Sequence, residues 1–140
     1  DSDEGAAHIL VDLEPGDISL LDSQATIYGG STEENFGREA LGLQDINGDG
    51  FGEVVISAKR YGTLAPEQGR VSLFLGPLEG GLTSGQGHAL LYGAREGAWT
   101  GISMDVHQDG GETWLLLGSR DVIGEDVLGE SFLLSVDFFE

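Results

Sequence analysis

Cysteine is absent from the 140-residue chain, which excludes a disulfide framework and a thiolate metal site and leaves the redox compartment open. Cations are scarce: 6 Lys and Arg stand against 25 Asp and Glu, for a formal net charge of -19. That balance argues against nucleic acid as a partner, because phosphates would be repelled rather than neutralised. Proline occurs only 3 times. No apolar run approaches the roughly 18 residues of a membrane helix, so membrane insertion is not expected. The chain starts at Asp1 without a methionine or signal peptide, which suits a processed mature chain or an excised fragment equally. Catalytic signatures are missing too. There is no Gly-x-Ser-x-Gly elbow, no carboxylate pair stands out for glycoside hydrolysis, and His8, His88 and His107 are scattered over strand and turn positions. The chain is expected not to be an enzyme.

Glycine is abundant, at 24 residues, and its clusters punctuate short apolar runs. That pattern is an all-β signature. One stretch organises the rest: Asp45-Ile46-Asn47-Gly48-Asp49-Gly50-Phe51-Gly52-Glu53, running into Val54-Val55-Ile56. Side-chain oxygens fall at loop positions 1, 3, 5 and 9, as Asp45, Asn47, Asp49 and Glu53, and Phe51 offers its carbonyl at position 7. Calcium takes six to eight oxygen ligands, so this loop suits it. Three negative charges held this close repel one another, and a divalent cation removes that cost. Gly48 and Gly50 supply positive φ angles for the curl. The bland alternative is an Asn-Gly/Asp-Gly hairpin turn with solvated acids, but such a turn needs no oxygens at all four spacings. An EF-hand would require an oxygen ligand at position 12, where Ile56 stands, and β-branched residues follow instead of a helical period. The loop therefore joins two strands.

Strands are expected over residues 7–13, 25–29, 36–45, 53–59, 69–76, 88–93, 99–106, 113–119 and 130–138, with a glycine-rich link over 80–87. Residues 1–5 read as an acidic tail. The chain also repeats itself. Ala25-Thr26-Ile27-Tyr28-Gly29 echoes as Ala89-Leu90-Leu91-Tyr92-Gly93. An offset of 60 aligns Gly37 with Gly97, Asp45 with Asp105, Asp49 with Asp109, Gly50 with Gly110 and Gly69 with Gly129. A period near 60 with four short strands marks a propeller blade or a similar stacked sheet. Trp99 and Trp114 are expected in the core, and Arg70, Arg95 and Arg120 as edge or interface charges.

Phe36-Gly37, the oxygen loop over 45–53 and the glycine-flanked strand over 69–76 resemble the FG-GAP repeat, the blade unit of integrin α-subunit β-propellers. Ser57-Ala58-Lys59 takes the place of that motif's Gly-Ala-Pro, and Glu53 that of its usual Asp. The resemblance implies an all-β fold of about two to two-and-a-third four-stranded blades: a partial blade over 6–29, a full blade with the calcium loop over 36–93, and a degenerate blade over 97–140. In the degenerate copy Glu96-Gly97 replaces Phe-Gly, His107 replaces Asn47 and Thr113 replaces Glu53. The resemblance further implies Ca²⁺ at Asp45, Asn47, Asp49, Phe51 and Glu53, and an extracellular or cell-surface location. Integrin-type propellers close with seven blades, so this set needs completion by further copies or by a longer parent.

The expected function is a secreted, non-catalytic structural or adhesive module that associates head to tail, as a filament or ring. Its C-terminal strand, residues 132–139, would meet residues 7–13 of the next copy. The alternative is a piece of a larger propeller that binds a protein or carbohydrate ligand. Aromatic residues clustered in one loop set would favour that alternative.

Overall fold

The structure, a computed structural model, describes residues 4–135 apart from 32, 110, 111, 124 and 125, and of residues 121–135 the backbone alone. Strands β1 (Ala6–Ile9), β2 (Ala25–Tyr28), β3 (Phe36–Leu43), β4 (Glu53–Ala58), β5 (Arg70–Phe74), β6 (Gly80–Thr83), β7 (Ala89–Tyr92), β8 (Ser103–Asp109), β9 (Glu112–Ile123) and β10 (Asp126–Ser135) form three sheets. Their orders are β1-β2-β6, β3-β4-β5-β7 and β8-β9-β10. The fold is all-β, and the middle sheet has the four strands of a propeller blade.

Core packing explains why the strand patterns differ. Val54 and Ile56 face a cluster with Ala25, Ile27, Phe36, Ala58 and Phe74, between the first and middle sheets. Val55 faces a second cluster with Leu43, Val71, Leu73, Leu115 and Leu117, between the middle and third sheets. Both faces of β4 are thus covered, and its apolar run needs no alternation. The run Leu115-Leu116-Leu117 occupies the equivalent second strand of the third sheet. There Leu115 and Leu117 are buried but Leu116 is 38% exposed, so this run is covered on one face, not two.

Several expected boundaries shift. The strand expected over 7–13 ends at Ile9, because Asp12 takes a left-handed conformation at φ 51 and Val11 and Leu13 turn outward. Residues 80–87 are not merely a link: β6 pairs in parallel with β2, in the neighbouring sheet, and a 3-10 turn over Ser84–Gln86 follows. The expected strand over 130–138 begins earlier, at Asp126, and its last residues, 136–138, lie outside the described residues, as do residues 1–3 of the expected tail and Gly110.

Close backbone approaches define the true repeat. Gly37 at φ 79 lies against the Ala6 carbonyl, and Gly101 at φ 83 lies against the Val71 and Ser57 side chains, each where a Cβ would collide. Asn35 and Trp99, two residues before them, share positive φ values of 54 and 48. Gly37 therefore corresponds to Gly101, not Gly97, an offset of 64. Beyond the next hairpin the offset drops to 60: Arg60 N–H donates to the Glu34 carbonyl, and Arg120 N–H to the Ala98 carbonyl. Four residues of the first loop have no counterpart in the second hairpin.

Candidate metal centre

The loop lies between paired ends, with Leu43 opposite Glu53 across β3 and β4. Gly48 and Gly50 take φ values of 80 and 91, as the curl requires. Asp45 is the hub. Its Oδ1 accepts from the Gly48 N–H at 2.6 Å and the Asp49 N–H at 3.1 Å, and its Oδ2 from the Gly50 N–H at 2.7 Å. Those backbone donors, Gly50 first, hold its carboxyl below the ordinary value. Asn47 Oδ1 accepts from the Asp49 N–H at 3.0 Å, and Asn47 Nδ2 donates to Asp49 Oδ2 at 2.9 Å. Asp49 Oδ1 accepts from the Phe51 N–H at 2.9 Å, and the Phe51 ring is half exposed.

Glu53 differs from its neighbours. It is 3% exposed, whereas Asp45 and Asp49 are open to solvent. Its Oε2 accepts from the Ile46 N–H at 2.7 Å, while Oε1 is buried without a hydrogen bond of good geometry, the Gly76 N–H also acting on the carboxylate from the backbone. Burial, and then the Asp49 and Asp45 charges, push its carboxyl up. Asp45, Asp49 and Glu53 each offer an oxygen, all within 4.8 Å of one another. A buried carboxylate oxygen without a hydrogen bond of good geometry, beside two exposed carboxylates, fits a hard cation, which would satisfy Oε1 and offset the mutual repulsion.

The corresponding hairpin of the third sheet is built differently. Asp105 lies inside β8 opposite Leu116, and Asp109 pairs directly with Glu112, leaving a connection of two residues. Aligning Asp45 with Asp105 and Asp49 with Asp109 is thereby corrected. The loop residues in question are those deleted, so residues 105–109 form strand rather than a second curl. The two hairpins still touch, through the Gln44 N–H donating to Gln108 Oε1 at 3.0 Å.

A second polar cluster was not legible in the sequence. Arg70 is buried rather than an edge charge, at 4% exposure. Its guanidinium donates to Ser84 Oγ at 2.5 Å, lies 3.8 Å from Glu34 Oε2 and stacks on the Tyr61 ring. Glu34 Oε1 in turn accepts from Ser84 Oγ at 3.1 Å and the Gly30 N–H at 2.6 Å. Nearby, Trp99 is half-buried, not core: Lys59 and Arg120 stand over its ring at 5.1 and 4.3 Å, and its indole N–H donates to Glu67 at 3.0 Å. Tyr61 and Tyr92 meet at 5.8 Å. Trp114 lies in β9 opposite His107, half-buried. His8 and His88 have structural partners, Ser23 and Thr26 for the first and the Leu75 N–H for the second.

Three stacked antiparallel-rich sheets with an oxygen loop on the first hairpin of the middle one define a propeller-type module. Residues 36–74, from β3 to β5, match the family model described as FG-GAP repeat, so this segment carries an FG-GAP repeat. The repeat is a structural unit found in extracellular or surface proteins, and in integrins it often binds calcium. No curated protein matches the chain. Among the described residues no helix is long and apolar enough to cross a membrane.

Proposed function

We propose that the chain is a secreted, non-catalytic structural or adhesive module whose middle blade is braced by calcium and which associates head to tail with further copies. The observation that carries the calcium reading is the buried Glu53 Oε1, without a hydrogen bond of good geometry and within reach of Asp45 and Asp49. Asp45, Asn47, Asp49 and Glu53 would hold the ion through side-chain oxygens and Phe51 through its carbonyl. The ion would tie the β3–β4 loop to the start of β4. Association is supported by the exposed apolar residues of the connection between β1 and β2. An extracellular site, where calcium is plentiful, suits such a loop and a net charge of -19.

Isothermal titration with calcium tests the brace, with uptake expected for the natural chain and none for Asp49→Ala. Absence of calcium heat in the natural chain would sink it. Light scattering with and without chelator tests association, and a single monomeric mass across concentration would count against it.

A second reading, a piece of a larger propeller that binds a protein or carbohydrate, draws support from Tyr61, Tyr92 and Trp99. These gather near one end of the middle sheet, away from the oxygen loop.

A further inference from the structure

The connection from β5 to β7 leaves its own sheet. It adds β6 to the outer strand of the preceding sheet, with Ala25 opposite Gly80, Ile27 opposite Leu82 and Tyr28 opposite Thr83. Leu82 thereby packs against the cluster around Ile27. The chain then makes the turn over Ser84–Gln86 and returns as β7.

The connection from β1 to β2 has the same parts, sixty-four positions earlier. Gly16-Asp17-Ile18-Ser19 stands for Gly80-Gly81-Leu82-Thr83, and the 3-10 turn over Leu20–Asp22 stands for Ser84–Gln86. Asp22 accepts from the Ser19 N–H as Gln86 accepts from the Thr83 N–H. At the far end, the Gln24 N–H donates to the Ile9 carbonyl at 2.8 Å, as the His88 N–H donates to the Leu73 carbonyl at 2.7 Å. Only the surroundings differ. Residues 16–19 have no ladder partner among the described residues. Ile18, the counterpart of the packed Leu82, is 47% exposed, and Val11, Leu13, Leu20 and Leu21 of the same connection are exposed too.

An edge of the matching kind exists in the same chain. Ala89-Leu90-Leu91-Tyr92, in β7, is the counterpart of Ala25-Thr26-Ile27-Tyr28, in β2. Among the described residues β7 pairs with β5 alone, so the edge that β6 occupies on β2 carries no described strand on β7. We infer that residues 16–19 form a strand donor that adds in parallel to the outer edge of β7 in a second copy of this chain. The register places Gly16 opposite Ala89, Asp17 opposite Leu90, Ile18 opposite Leu91 and Ser19 opposite Tyr92. Main-chain hydrogen bonds and burial of Ile18 drive the contact. Donor and acceptor are different surfaces, so the contact is heterologous and builds a ring or a filament. This inference rests on the self-association reading and replaces its expected contact, because β1 stops at Ile9 and no longer offers residues 10–13 as strand.

The chain has no cysteine, so single cysteines report the register cleanly. Asp17→Cys and Leu90→Cys chains, mixed and mildly oxidised, should form the mixed disulfide dimer about tenfold over either like dimer, because opposed strand residues lie within disulfide reach. Ile18→Pro, at an exposed position, should abolish association in sedimentation velocity while leaving the circular dichroism spectrum unchanged. Association that survives Ile18→Pro without the mixed cross-link overturns the register and leaves self-association standing. A chain that stays monomeric at every concentration overturns both.

Discussion

The Ile46 N–H donates to Glu53 Oε2 at 2.7 Å, which closes the oxygen loop onto the first residue of β4 and turns the other carboxylate oxygen inward without a hydrogen bond of good geometry. Two consequences follow for stability. Extracellular calcium modules bind with dissociation constants near 10⁻⁴–10⁻³ M, so about 1 mM calcium should stabilise the fold by roughly 0.4–1.4 kcal/mol. Chelator should therefore lower the melting temperature, and Asp49→Ala should erase the difference. Glu53→Gln should melt higher than the natural chain in chelator, because it removes a charge held beside two others, and should respond to calcium less. A natural chain whose melting temperature ignores calcium would refute the brace.

Asp105→Ala and Asp109→Ala should leave the calcium response unchanged. Both aspartates lie on β8, in a hairpin that lacks four residues of the oxygen loop. Loss of calcium binding in either variant, read by titration calorimetry, would reinstate a second loop.

Cover on one face against cover on two separates two similar strands. Ile56→Ala should cost about 2–5 kcal/mol, because the side chain is fully buried in the cluster between the first and middle sheets. Leu116→Ala, at a half-open position, should cost about 1 kcal/mol or less. Urea unfolding at constant slope measures both.

Breaking the Glu34–Arg70 pair from one side should be severe. Arg70→Leu leaves a carboxylate that is 1% exposed without its cation, a loss of about 3–5 kcal/mol. The double variant Glu34→Leu/Arg70→Leu should recover much of that loss, since no charge is then stranded. Equal denaturant midpoints for single and double variants would show that the pair is not coupled.

Glu67 gives the acid limb of stability a specific contributor. The Trp99 indole N–H, and then Arg60, hold its carboxyl below the ordinary value of 4.5. A depressed carboxyl stabilises the fold fully above its unfolded value, and that contribution fades as pH falls through the lower folded value. Glu67→Gln should therefore flatten the melting-temperature profile below about pH 4.5 relative to the natural chain. An unchanged profile in that window would remove Glu67 from the account.

Much of the fold is written in local chemistry. The period-free run of β4 and the glycine punctuation place strands, because side-chain burial and positive φ are properties of short segments. The oxygen spacing from Asp45 to Glu53 likewise depends on one loop, and Asp45, Asp49 and Glu53 do converge. What the chain could not specify locally is which turns lie beside which strands. Gly37 and Gly101 correspond only once Ala6 and Val71 are seen against them, so the offset of 64, and its fall to 60, needed the sheets assembled. The same holds for β6, a glycine-rich stretch that is a strand only because β2 offers it a ladder. The burial of Arg70 and the half-buried position of Trp99 have the same cause. Burial of a charge, or exposure of an indole, is decided by partners such as Glu34, Ser84 and Lys59, which lie far away along the chain. Local pattern determined the strands and the oxygen loop, and tertiary contact decided the repeat register, the cross-sheet strand and the burial of Arg70, because these depend on residues brought together only by folding.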